Sequence, residues 1–92
     1  TMPRYLVERT FRAPDRAGTA ADGSAAKHCD AVLRANAREG VTWIHSFVTP
    51  DRRRSFCIVD SPSPEAIRLA AQATALPVDR ITEVRVFDPY FL

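Results

Sequence analysis

The pattern of apolar and polar residues along the chain predicts strands and helices in a defined order. Apolar, β-branched and aromatic residues mixed with charges over Tyr5–Phe11 are typical of a short strand. The Pro-, Gly- and Ala-containing segment 12–23 is predicted to be a surface loop. Apolar positions then recur at the spacing of one helix face, after Asp22 or Ser24 as the capping residue, and Gly40 ends this helix.

The second half of the chain predicts two adjacent strands, a second helix and a final strand. Val41–Thr49 and Arg53–Val59 are rich in β-branched and aromatic residues and are predicted to form a hairpin. Ser63–Glu65 combines a capping hydroxyl, a proline and an acidic residue, which together favour the start of a helix that Pro77 ends. Alternating valines and charges over Ile81–Phe87 predict the last strand.

The predicted order, β-α-β-β-α-β, is that of the ferredoxin-like α+β fold, with two helices on one face of a four-stranded antiparallel sheet. A length of 92 residues suits one domain, which we assign to residues 2–92. Thr1 before Met2 is interpreted as a remnant of an expression tag. Because Val41–Thr49 has large side chains at both odd and even positions, we expect the second face of the sheet to be covered as well.

Composition and charge exclude several classes of protein. A formal net charge of +2 is too small for the electrostatic surface that duplex nucleic acid requires, so no nucleic-acid partner is expected. No apolar run approaches the roughly eighteen residues of a membrane span, so no membrane association is expected. Two cysteines are too few for a disulfide-stapled secreted domain, and reduced thiols predict a cytoplasmic location.

The predicted hairpin provides the main candidate site. A turn centred on Asp51 sets three cross-strand pairs: His45 with Cys57, Trp43 with Val59, and Phe47 with Ser55. Directly opposed Cβ atoms lie about 4.5 to 5.5 Å apart, so His45 and Cys57 can hold one metal ion through an imidazole nitrogen and a thiolate. The alternative is that Cys57 is a small buried hydrophobe and His45 a hydrogen-bonded sheet residue, because a slip of one residue puts them on opposite faces.

Glu8 is the third candidate ligand. The ferredoxin-like topology places the first strand beside the strand that carries Cys57, so Glu8 can join His45 and Cys57 on the open face. The alternative is a strand carboxylate that faces solvent or pairs with an arginine. Cys29, by contrast, is predicted to belong to the core.

Four stretches of sequence carry a resemblance to a known family. They are Met2-Pro3-Arg4-Tyr5-Leu6-Val7-Glu8-Arg9-Thr10-Phe11, Val41-Thr42-Trp43-Ile44-His45-Ser46-Phe47-Val48, Phe56-Cys57-Ile58, and Ile81-Thr82-Glu83-Val84 with Asp88-Pro89-Tyr90-Phe91. Together they resemble a family of small bacterial ferredoxin-like proteins of formally unknown function, one branch of which is described as nickel-binding. The resemblance implies a homodimer that binds a divalent transition metal, with His45 and Cys57 as ligands. Segment 12–28 departs from the family pattern.

Three functions remain open, and whether the chain is an enzyme is not decided by its sequence. The favoured one is binding of nickel or another divalent transition metal, for which an imidazole and a thiolate are suitable ligands. The second is an enzyme of the dimeric α/β-barrel type, in which His45, Glu8 and Tyr90 would do acid and base work on a small organic substrate in the cleft. The third is a dimerisation module. In each case we expect a homodimer joined through the sheet face opposite the helices, because Trp43, Phe47 and Val59 would otherwise leave an apolar patch in water.

Overall fold

The structure, a computed structural model, describes residues 2–12 and 24–90, with side chains from residue 29 onward in the first helix. The elements are β1 (Arg4–Thr10), α1 (Ser24–Arg38), β2 (Thr42–Val48), β3 (Arg54–Asp60), α2 (Pro64–Ala73) and β4 (Arg80–Val84). Their order confirms the predicted β-α-β-β-α-β sequence. Thr1 and the loop predicted over segment 12–23, apart from Arg12, lie outside the described residues. Neither described helix is long and apolar enough to cross a membrane.

The four strands form one antiparallel sheet in the order β2-β3-β1-β4, which confirms the ferredoxin-like α+β fold. Alternate residues of β1 and β3 are buried, so the sheet has two distinct faces. On the helix face, Val7 and Val59 form a core cluster with Ile67 of α2. Full burial of such an aliphatic side chain stabilises the fold by about 1.5 to 3 kcal/mol.

We call the opposite side of the sheet the open face. Its positions follow from the strand pairing and the burial pattern, and they carry Arg4, Leu6, Glu8 and Thr10 of β1, Arg54, Phe56, Ile58 and Asp60 of β3, Thr42, His45 and Phe47 of β2, and Arg80, Thr82 and Val84 of β4. The core cluster, to which α2 contributes, lies on the helix face. The open face is therefore the part of the sheet that remains available for a site.

Gly40 ends α1 as the sequence predicts. Its φ of 72° lies in the left-handed region, where glycine has no steric penalty. The Gly40 amide donates to the carbonyl of Ala37, and the Val41 amide donates to the carbonyl of Asn36, a Schellman arrangement that satisfies the last carbonyls of the helix. The chain therefore turns directly from α1 into β2.

Ser63 begins α2 as predicted, but the helix ends earlier than Pro77. The Ser63 hydroxyl accepts a hydrogen bond from the Ala66 amide at 3.2 Å, which caps the first turn. The helix stops at Ala73 because Ala75 adopts a left-handed φ of 54° and closes the last turn.

The last strand is also shorter than the predicted Ile81–Phe87. Val84 pairs with Arg4, the first residue of β1, so no residue of β1 remains to pair with the chain beyond Val84. Residues 85–90, which we call the tail, therefore leave the sheet. Val86 and Phe87 are each 72% exposed, instead of lying in a strand.

An ion pair joins β1 to β3 at one end of the open face. Arg4 Nε donates to Asp60 Oδ1 at 2.8 Å, and Arg4 Nη2 donates to Asp60 Oδ2 at 3.3 Å. The two residues are direct cross-strand partners, so the pair fixes the register of the two central strands. The hydrogen bond from Arg4 lowers the pKa of Asp60 below its ordinary value.

This lowered pKa predicts a pH-dependent contribution to stability. Because the Asp60 pKa is depressed in the folded protein, the stabilisation is present above the unfolded-state value of about 3.9 and is lost as pH falls through the lower folded-state pKa. We expect Asp60→Asn to lower the urea midpoint at pH 7 and to unfold at nearly the wild-type midpoint near pH 2. A difference between the two proteins that stays constant from pH 7 to pH 2 would contradict this account.

Candidate metal centre

The hairpin turn is four residues long and differs from the predicted turn centred on Asp51. The Thr49 amide donates to the Arg54 carbonyl at 3.0 Å, which closes the turn over residues 50–53. Asp51 Oδ1 accepts hydrogen bonds from the Thr49 hydroxyl and the Arg53 amide, and these bonds lower the pKa of Asp51. Because the turn is even-numbered, β2 and β3 pair one residue out of step with the prediction near this end.

A β-bulge at Ile44 then changes the register within β2. On one side of it Trp43 pairs with Val59, and on the other His45 pairs with Ile58, so Ile44 has no partner in β3. Such an extra residue interrupts the alternation of side chains along the strand, so residues two positions apart, such as Trp43 and His45, point to opposite faces of the sheet. Trp43 therefore points to the helix face and packs against the core cluster, whereas His45 is exposed on the open face. The prediction that Trp43 and Val59 belong to an apolar patch opposite the helices is wrong, because Val59 is also part of the core cluster.

A hydrogen bond within β2 shows the effect of the bulge directly. Trp43 Nε1 donates to Ser46 Oγ at 2.8 Å. In a regular strand, residues three positions apart point to opposite faces, so these two side chains could not meet. The bulge brings both to the helix face, where the indole N–H finds its acceptor.

The predicted pairing of His45 with Cys57 is wrong, as is that of Phe47 with Ser55. His45 pairs with Ile58 and Phe47 with Phe56, because the turn shifts the register by one residue. The prediction that Trp43 pairs with Val59 is confirmed, and it holds only because the bulge reverses that shift. His45 and Cys57 therefore lie on opposite faces of the sheet and do not form one ligand pair.

Cys57 belongs to the core. It is 9% exposed and is part of the cluster that contains Val7, Val59 and Ile67. Its Sγ lies 3.8 Å from the hydroxyl oxygen of Ser55, which is also buried. This environment is the one that a small apolar side chain occupies, and it corresponds to the alternative interpretation of Cys57.

His45 is an exposed metal-ligating side chain on the open face. Its ring contacts Phe47 edge to face, with centroids 5.1 Å apart and an interplanar angle of 88°. Phe47 itself is 61% exposed, so the two rings form a shallow ridge on the surface. The contact restricts the imidazole on one side and leaves the remaining side open to a ligand.

Glu8 lies on the same face as His45, as predicted, but it is paired with an arginine. Its Oε1 lies 3.6 Å from Arg54 Nη2, and Arg80 is its direct cross-strand partner on the other side. The Arg54 guanidinium also lies over the Phe56 ring, with its central carbon 4.9 Å from the ring centroid. A cation that binds Glu8 must therefore compete with a positive charge already in place.

One chain does not complete a metal site in the part that the structure describes. No three histidine, cysteine or acidic side chains there are grouped to hold one ion. His45 and Glu8 are separated by two strand spacings and by two residues along the strand, or about 12 Å between Cα atoms. His45 can serve as one ligand of an ion whose other ligands come from elsewhere.

Two further candidate residues lie outside the sheet. Tyr90 is 89% exposed in the tail, and its amide donates to Asp88 Oδ1 at 3.0 Å. Cys29 is half-buried in α1, and both cysteines are free. The apolar members of the open face, Leu6, Phe56 and Ile58, were not identified from the sequence; the alternation of β1 and β3 is the signal that places them there.

Comparisons with known proteins agree with this fold. The family model described as "Nickel responsive protein SCO4226-like" matches residues 5–84, so the chain belongs to that family. A solved structure, "Crystal structure analysis of SCO4226 from Streptomyces coelicolor A3(2)", superposes with a TM-score of 0.72 at 19% sequence identity. The match covers 92% of this chain and 99% of that one. No curated protein sequence matches.

The placement of Cys57 predicts a difference in thiol reactivity. Because Cys57 is buried in the core and Cys29 is half-buried on a helix, a Cys29→Ser protein should react with a thiol reagent such as DTNB at least tenfold more slowly than a Cys57→Ser protein. A concentration of 6 M guanidinium chloride lies above the unfolding midpoint of ordinary small domains. Both proteins should be unfolded there, and the two rates should become equal. Equal rates in the native proteins would show that Cys57 faces solvent.

Proposed function

We propose that this member of the nickel responsive protein SCO4226-like family binds a divalent nickel ion on the open face of its sheet, as a homodimer, with His45 as the anchoring ligand. The observation that carries the proposal is the exposed imidazole at this position, which the turn and the bulge hold on the open face. The family description supports the choice of nickel. Cys57 is not part of the proposed site, because it lies in the core.

The ligand chemistry favours a late first-row ion. Imidazole suits nickel, copper, zinc and iron, whereas carboxylate and water alone suit magnesium, calcium and manganese. The Irving–Williams order places nickel above manganese, iron and cobalt at such a site, and copper above nickel. Preference for nickel over copper must therefore come from the geometry of the complete ligand shell, to which a single histidine makes only one contribution.

A second chain can complete this shell. A two-fold axis that brings two open faces together also brings two copies of His45 and two of Glu8 to the same interface. Glu8 of either copy becomes a ligand if the ion displaces Arg54 from it, and water can fill the remaining positions. This arrangement explains how a chain whose described side chains include one imidazole, that of His45, can belong to a family named for nickel.

The same interface would cover the apolar part of the open face. Phe47 is largely exposed in one chain, and Leu6, Phe56 and Ile58 are half-buried beside it. Covering this surface with a second chain removes it from water, which stabilises the dimer by about 25 cal/mol per Å². We also propose a cytoplasmic location, which the two free thiols of Cys29 and Cys57 support.

Nickel titration tests the role of His45. We expect His45→Ala to weaken nickel binding at least tenfold by isothermal calorimetry, because the anchoring ligand is lost. Glu8→Gln should weaken it less, since the carboxylate is already engaged by Arg54.

Cys57→Ser is the matched control, because it removes a metal-ligating side chain from the other face of the same hairpin. It should bind nickel within about twofold of the wild type, provided that its circular dichroism is unchanged. Loss of binding in Cys57→Ser together with wild-type binding in His45→Ala would reverse the assignment and refute the proposed site.

Light scattering tests the homodimer. At micromolar concentration the protein should have twice the 10.2 kDa mass of one chain. We expect Phe47→Asp to shift the mass towards that of one chain, because it puts an unpaired charge into the proposed interface. A wild-type mass of one chain would refute the homodimer.

A further inference from the structure

We propose that the tail, residues 85–90, docks on the open face of the second chain and supplies much of the contact between the two subunits. The inference rests on the homodimer of the proposed function and goes beyond it, because it assigns the contact to a segment outside the sheet. The partner is a second copy of this chain, and both contact surfaces, the tail and the open face, are present in each chain.

The tail is unusually apolar for a segment without packing partners. Val86 and Phe87 are each 72% exposed and Tyr90 is 89% exposed, and all three lie within five residues. Isolated exposed apolar side chains are common on protein surfaces, but a cluster of three large ones marks an interaction site.

The tail also has a defined local structure and starting point. It follows Val84, which ends the edge strand β4 beside Arg4. The Tyr90 amide donates to Asp88 Oδ1, a turn of the kind that aspartate forms with the backbone two residues later. The segment therefore leaves the sheet at its edge with a bend between its two aromatic rings, Phe87 and Tyr90.

The open face offers the complementary surface. Phe47 and Phe56 are cross-strand partners, and Ile58 and Leu6 are partners in the neighbouring row. These four side chains make a continuous apolar strip across β2, β3 and β1. The tail of the same chain does not cover the strip, because the large side chains of that tail remain exposed.

The tail is long enough to reach across a partner's sheet. The four residues before the bend, 85–88, span about 13 Å when extended, and the three strands that carry the strip are separated by about 10 Å from first to last. A tail that starts at the edge of one sheet can therefore lie across the strip of the other. A two-fold axis duplicates the contact, so each subunit gives one tail and receives one.

The area that this contact can bury is that of a stable dimer. An aromatic side chain buries about 150 to 250 Å², so Phe87 and Tyr90 of two tails bury about 600 to 1,000 Å². The strips that they cover lose a comparable area, which brings the total to about 1,200 to 2,000 Å². This is the size of a standard specific interface, about 1,600 ± 400 Å².

Sedimentation velocity on three proteins tests the inference. The first is wild type, the second carries Val86→Ser, Phe87→Ser and Tyr90→Ser, and the third carries Leu33→Ser and Leu69→Ser. The third is a matched control, because Leu33 and Leu69 are 49% and 52% exposed on the two helices, away from the open face. We expect the wild type and the helix variant to be dimers, and the dimer dissociation constant of the tail variant to rise at least tenfold.

A chain ended after Arg85 serves as a second tail variant, and the fluorescence of the single tryptophan, Trp43, reports whether each protein keeps its fold. If the wild type is dimeric and both folded tail variants dimerise equally well, the role of the tail is refuted while the homodimer stands. If the wild type is monomeric, the homodimer and the tail contact are both refuted. Equal weakening by the helix variant would also refute a specific role for the tail.

Discussion

The β-bulge at Ile44 determines which side chains of β2 point to the helix face and which point to the open face. The four-residue turn at the end of the hairpin places His45 and Phe47 on the open face, opposite Ile58 and Phe56. Without the bulge, the same register would carry Trp43 to the open face too. The extra residue returns the indole to the helix face, where it packs on the core and donates to Ser46. The strand β2 thus contributes Trp43 to the core and His45 and Phe47 to the open face.

This division explains why a small domain can keep a metal-ligating imidazole exposed and still have a complete core. The core draws on alternate residues of β1 and β3, on α2 and on Trp43, and it also contains Cys57. The open face keeps the charged and aromatic residues, including Glu8 held beside Arg54. Because Cys57 and His45 lie on opposite faces, the chemistry of the proposed site is that of imidazole and carboxylate, and it requires ligands that the described part of one chain does not supply.

The order of elements could be predicted because each has a strong local cause. Ser63 caps α2 through its hydroxyl, and Gly40 adopts the left-handed conformation that ends α1. The final strand was predicted too long, since alternation continues through Phe87 but β1 has no residue left to pair beyond Arg4. That limit is set by β1, which is far from β4 in the sequence. The local pattern around β4 therefore carries no information about where the strand ends.

The candidate site was harder to predict than the fold, because it depends on register. A shift of one residue exchanges every side chain between faces. The turn over residues 50–53 includes Arg52 with a φ of 57°, and arginine carries no sequence signal for that conformation. The bulge at Ile44 has no glycine to mark it either. Glu8 was placed on the correct face because β1 and β3 pair without irregularity.

Anomalous scattering at the nickel absorption edge, from crystals grown with nickel, tests directly whether nickel binds at His45 on the open face. We expect a peak within coordination distance of an imidazole nitrogen of His45, at the interface between two chains. A nickel peak bound elsewhere on the chain, with none at His45, would contradict it.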